Sequence, residues 1–147
     1  MRLRELHVTY RVRRDLPVFG KRHRLESPRL VVGLLRPVLE SHPVEVLGVL
    51  CVTTKHRPIA WHELSRGTLD STLVHPREVF KVAFLANAAA IVIAHNHPSG
   101  DSEPSAEDIG ITNRLSEAGK LLGVELLDHI IIGHDGHYYS FKESGRL

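Results

Sequence analysis

The stretch AIVIAHNHPSGDSEPSAED, Ala90 to Asp108, decides how the chain is read. Ile91, Val92, Ile93 and Ala94 form a short, largely β-branched run, the pattern of a strand buried on both faces. His95 and His97 follow two residues apart, a spacing that sends both side chains of an extended chain to the same side. Pro98, Ser99 and Gly100 stop the strand, and Pro104 and Ser105 open a helix. Along that helix Asp108, Ile111, Leu115, Ala118 and Leu122 recur at offsets of three and four, so the aspartate continues an apolar, inward-facing stripe. A carboxylate turned toward a core is costly unless a cation meets it there. Two imidazoles and one carboxylate from His95, His97 and Asp108 leave a fourth tetrahedral position open, the usual plan of a catalytic zinc site.

The pattern HxH, seven residues, Ser, two residues, Asp, from His95 to Asp108, resembles the JAMM (JAB1/MPN-type) metalloprotease motif. VHPREVF (Val74 to Phe80), HNHPSGD (His95 to Asp101), PSAED (Pro104 to Asp108) and LDHIIIG (Leu127 to Gly133) are similar to the RadC branch of that superfamily, over about Pro43 to the end. The resemblance implies an α/β (α+β, cytidine-deaminase-like MPN/JAB) fold, with a mixed central sheet, helices packed against it and a Zn2+ site at a strand-to-helix loop. It assigns His95, His97 and Asp108 to the metal. It also makes Glu45 the acid that moves the proton of a water, although pattern alone makes Glu45 a strand-end carboxylate reaching solvent. For Ser105 two readings stand. The motif Ser-x-x-Asp at a helix entrance is close to a capping box, while the resemblance implies a hydrogen bond to the oxyanion of a tetrahedral intermediate.

With 147 residues and 42% apolar composition, the chain is expected to form one domain. Residues 1–42 form a basic strand and helix packed with a core over residues 43–147. No apolar run approaches a membrane span, no signal segment is evident and Cys51 is the sole cysteine, which fits a cytoplasmic protein without disulfides. A single cysteine also excludes the zinc deaminase pattern, which needs a PCxxC pair. There is no glycine-rich phosphate loop. The letters HNH at 95 to 97 are not the motif of the HNH nucleases, whose residues are spread over a longer segment.

The net charge of +2 conceals an asymmetry: residues 1–40 hold ten Lys/Arg against four Asp/Glu, and the remainder nine against thirteen. Such a segment is a solvated face or a nucleic-acid contact. Leu6, Val8, Tyr10 and Val12 alternate as an edge strand would. Ser27 and Pro28 start a helix that Pro37 kinks or ends. Val44 to Val52 is a central strand, and Pro58 to Arg66 returns as a hairpin. His75 and Pro76 open an apolar, sandwiched helix in which His75 is a cap or hydrogen-bond partner. Val124 to Ile132 and Tyr138 to Phe141 are the last strands, joined by the HDGH turn with His134 and His137. Asp128 and His129 read as a hydrogen-bonded pair closing a strand, with a role behind the metal ligands as the alternative.

Three function classes remain: a zinc metallohydrolase of peptide or isopeptide bonds in a protein or peptide substrate, a DNA repair-associated factor using the same metal and the basic segment, and a non-catalytic interaction module. Composition leaves the oligomeric state open.

Overall fold

A computed structural model describes residues 1–18, 20, 22–67 and 74–147. Its elements run α1 (Pro28–Leu39), β1 (Val46–Val52), β2 (Pro58–Arg66), α2 (Pro76–Leu85), β3 (Ala90–Asn96), α3 (Ala106–Leu122), β4 (Glu125–Ile132) and β5 (Tyr138–Ser140). The strands form one mixed sheet in the order β2-β1-β3-β4-β5, with only the β3/β4 pair parallel. That parallel pair requires a crossover, and α3 supplies it.

Alternation along the two central strands divides the core. Val46, Leu50 and Val52 of β1 and Ala90, Val92 and Ala94 of β3 face α1. Leu47, Val49, Cys51, Ile91 and Ile93 face α2 and α3. Continuing the count, His95 falls on the α3 side and Asn96 on the α1 side, which gives the two residues different work.

The chain departs from its sequence pattern at four places. First, residues 6–12 join no ladder; Leu6 is 77% and Val12 83% exposed. The alternation is present, yet a lone strand with nothing to cover its apolar face has little to stabilise it. Lys21, in the basic run, lies outside the described residues.

Second, α1 passes through Pro37 to Leu39. Proline inside a helix costs about 3 kcal/mol, but Val38 and Leu39 beyond it are buried, each side chain contributing about 1.5–3 kcal/mol. Arg36 also ties the helix to the far end of the sheet, donating to the carbonyls of Gly133 and His137 at 2.9 and 3.1 Å.

Third, α2 is not sandwiched. Val79, Phe80 and Ala83 are buried, while Phe84 and Leu85 stand on an exposed face. His75 occupies the N-cap position but its ring makes no capping bond.

Fourth, the inner stripe of α3 is Asp108, Ile111, Thr112, Leu115 and Gly119, with Leu122 exposed. A Cβ at Gly119 would lie 2.4 Å from the Val124 carbonyl oxygen. The missing side chain lets α3 approach the start of β4 more closely than a helix with Cβ there.

The HDGH segment makes a tight turn between β4 and β5. Asp135 and Gly136 have φ of 54° and 81°, the paired positive values of a type I′ hairpin turn.

Candidate metal centre

Antiparallel pairing sets Leu47 against His95. Two residues back from Leu47 and two forward from His95, the same register brings Glu45 toward His97. Glu45 is half-buried just before β1, its carbonyl accepts from Gly67 N–H at 2.8 Å, and its charge acts on the His97 ring.

His95 is wholly buried at the end of β3 and His97 is 13% exposed just beyond it. Asp108, 1% exposed, reaches them from the first turn of α3. The three side chains converge. His95 Nε2 lies 3.0 Å from His97 Nε2 and 3.1 Å from Asp108 Oδ1. His97 Nε2 lies 3.2 Å from Asp108 Oδ2. Among the described residues they form the one group of three or more His, Cys, Asp or Glu able to hold a metal ion.

The hydrogen bonds behind His97 determine what it presents. Its Nδ1 is 2.7 Å from the Asp101 carbonyl oxygen, which only accepts, so Nδ1 carries a proton. The neutral ring therefore turns the Nε2 lone pair toward the cluster. An ionised Asp108 offers lone pairs only, so this arrangement calls for a cation at its centre.

The residues fit a divalent ion: His95, His97 and Asp108 each offer one ligand atom, all within 4.8 Å of one another, and two imidazoles with one carboxylate are a donor set that such ions accept. Without the ion, protons serve. Burial alone would raise the Asp108 carboxyl, but the His95 and His97 hydrogen bonds, the His95 charge and the Ser105 N–H outweigh it and hold Asp108 well below the ordinary carboxylate range. His97 is raised, chiefly by its bond to Asp108.

Asp108 also closes a capping box. Ser105 N–H donates to Asp108 Oδ2 at 2.8 Å, and Asp108 N–H donates to Ser105 Oγ at 3.2 Å. Capping uses a lone pair of the Ser105 hydroxyl and leaves its proton available, so the cap and the oxyanion reading are compatible at an exposed side chain.

The loop between the histidines and α3 is held against the β4–β5 end. His134 N–H donates to Gly100 O at 3.0 Å. A Cβ at Gly133 would sit 2.4 Å from that same oxygen, so only glycine admits the loop this close.

A model of the RadC-like JAB domain matches residues 25–146. The chain belongs to that family. UPF0758 proteins of Alkaliphilus metalliredigens and Rubrobacter xylanophilus are each 50% identical to it, over 85% and 84% of this chain and 53% of their own lengths. One from Methanosarcina mazei is 41% identical over 96% of this chain and 62% of its own length. The chain spans about half the length of most of these relatives.

In this RadC-like domain Asp128 and His129 have separate fates. Asp128 is a fastener: its carboxylate accepts from His129 N–H, Ser140 Oγ and Lys142 N–H at 2.8, 2.6 and 3.0 Å. His129 instead reaches His95, Nε2 to Nδ1 at 2.9 Å. Its ring stacks on Phe141 with centroids 4.9 Å apart. His134 and His137 remain exposed in their turn.

Sequence reasoning missed Asn96 and Thr112. The Asn96 amide accepts from Val46 N–H at 2.7 Å and donates to the His42 and Val44 carbonyls at 3.3 and 3.0 Å. It thereby holds the segment carrying Glu45. Thr112, one turn beyond Asp108, bonds the Asp108 carbonyl and His129. Its i+4 spacing was the available signal.

Proposed function

We propose that this RadC-like JAB domain is a zinc metallohydrolase that cleaves peptide or isopeptide bonds by adding water to the carbonyl. The observation that carries the reading is the convergence of His95, His97 and Asp108 beside Glu45 and the exposed hydroxyl of Ser105. Zinc, when bound, supplies a Lewis acid that lowers the pKa of water to roughly 7 and polarises a carbonyl.

The chain's own groups do the rest. His95, His97 and Asp108 hold the ion, and Asp108 enters already ionised. Glu45 accepts a proton from the attacking water. As the C–N bond breaks, it returns that proton to the leaving nitrogen. Ser105 Oγ–H donates to the carbonyl oxygen as it gains negative charge. Protein or peptide is the substrate class that this chemistry serves.

The test is Glu45→Gln, assayed for zinc content and for hydrolysis of labelled peptides and ubiquitin-like conjugates. Zinc retained with turnover lowered about 10²–10⁴-fold supports the roles; zinc and turnover both unchanged overturns them.

A second reading rests on the exposed, arginine-rich residues 1–18: a DNA repair-associated factor acting on or near DNA with the same metal site. It requires DNA binding that weakens steeply with added salt. A cytoplasmic setting suits the single buried Cys51, whose thiol burial pushes up to about 11. No helix among the described residues is long and apolar enough to cross a membrane.

A further inference from the structure

Behind the three converging side chains runs a buried line of polar atoms: Asp108 O, Thr112 Oγ1, His129 Nδ1 and Nε2, and His95 Nδ1. Its separations are 2.7, 2.6 and 2.9 Å. All four residues lie in the core, Thr112, His95 and His129 at 0% exposure. Each link must have one donor, and the direction of every link follows from one end.

The Asp108 carbonyl oxygen only accepts. Thr112 has a single hydroxyl proton and must give it there. Its oxygen then faces His129 as an acceptor, so His129 Nδ1 bears the proton. The ring is wholly buried and stacked on Phe141, and its two nitrogens meet a hydroxyl and an imidazole instead of a carboxylate, so nothing there balances a positive charge and the ring is neutral. A neutral ring protonated at Nδ1 has a lone pair at Nε2. His95 Nδ1 must therefore donate to it, which leaves Nε2, facing His97 and Asp108, as the nitrogen whose lone pair a cation can take in place of a proton.

We infer that Thr112 and His129 are positioning residues: they lock His95 in the Nδ1–H tautomer and aim its Nε2 lone pair into the metal centre. The inference rests on reading His95, His97 and Asp108 as that centre. His97 is set by a backbone carbonyl, whereas His95 is set through a second histidine and a helix hydroxyl. Because Thr112 donates to the carbonyl of Asp108 itself, one line of bonds joins two of the three ligands across β3, β4 and α3. Residues holding a ligand's far nitrogen in this way influence metal affinity by about 10–100-fold when removed.

The first measurement needs no variant. Nitrogen-15 spectra of the histidine rings in the metal-free full chain should show a proton on Nδ1 of both His95 and His129 and none on His129 Nε2. Finding either Nδ1 without a proton, or a proton on His129 Nε2, overturns the inference. Zinc titration against a competing chelator supplies the second measurement. Thr112→Val, nearly the same shape without the hydroxyl, should weaken zinc about 10–100-fold, and Thr112→Ser should restore it to within about threefold. Zinc affinity unchanged in Thr112→Val overturns the inference. So does equal weakening in both variants, because the serine keeps the hydroxyl. An unaltered chain that takes up no zinc overturns the metal reading itself, and the tautomers, read without metal, tell the two failures apart.

Discussion

On the proposed function zinc competes with protons for this site, and the geometry sets the sign and the least size of the expected effect. In the metal-free chain Asp108 lies well below the ordinary carboxylate range despite its burial, because His95 and His97 bond to it. It therefore yields no proton to an incoming ion near neutrality. His97 is held above its ordinary value, first by its bond to Asp108, and does yield one. Below the His97 pKa, apparent zinc affinity should fall about tenfold, or about 1.4 kcal/mol, per pH unit for each proton displaced.

Metal-free stability runs the other way. The raised His97 contributes stability that is complete below the unfolded value of about 6.5 and is lost as pH rises through its folded value. The depressed Asp108 contributes stability present above about 3.9 and lost as pH falls toward its folded value. For this pair the metal-free optimum lies between about pH 4 and 6.5. Zinc at a hundred times its Kd adds about 2.7 kcal/mol, or about 5–11 °C of melting temperature for a domain near this size. Free and loaded melting temperatures should thus diverge from pH 5 to pH 8. Calorimetric zinc titrations in buffers of differing ionisation enthalpy count the protons, and thermal melts give the divergence. Affinity that is flat from pH 5 to 7 would refute the reasoning, as would a slope that survives His97→Ala unchanged.

Three further outcomes follow from other contacts. Ser105→Ala removes a cap and should cost about 1 kcal/mol, whereas loss of an oxyanion donor lowers kcat about 10²–10³-fold; a drop in melting temperature with unchanged turnover would leave Ser105 as a cap only. Asn96→Leu leaves the buried Val46 N–H without its partner at 2.7 Å, a loss of about 1–3 kcal/mol; turnover should fall with it because Glu45 is no longer held, and zinc content should remain, as checked by metal analysis. Gly133→Ala forces a Cβ against Gly100 O, so a loss of about 1–3 kcal/mol is expected in denaturant melts, together with faster amide exchange at His134, which bonds that oxygen.

Much of this was legible in the sequence because it is local. The histidine spacing on β3, the Ser105 entrance of α3 and the position of Asp108 in its first turn all follow from backbone periods. What escaped depends on partners distant in sequence. Residues 6–12 carry a strand's alternation, and only the sheet can say that no edge pairs with them. Pro37 signals a kink or an end, yet the helix runs on to Leu39, where burial of Val38 and Leu39 outweighs the cost of the proline. In α3 the inner face passes through Gly119 instead of Leu122, because β4 crosses too near for a side chain. Asn96 looked like spelling between two histidines. Its function is visible only once strand pairing brings residues 42 to 46 beside it.

The triplet His95-Asn96-His97 shows why the site sits where the central strand ends. Inside the ladder, both faces of β3 are filled by apolar side chains against helices, leaving no room for an ion or a substrate. At the last ladder pairs, His95 and Asn96, and at His97 just beyond them, the odd positions meet the first turn of α3 and the even one meets the segment before β1. The N-terminal end of α3 carries partial positive charge. It favours an ionised Asp108 over a protonated one, and it favours negative charge developing near Ser105 over the neutral carbonyl. Under the proposed mechanism the same helix end therefore helps twice, in holding a cation through its aspartate and in receiving an oxyanion at its cap. A carboxylate in the middle of α3 would gain neither benefit, which is a physical reason for Asp108 to lie only three residues beyond the cap.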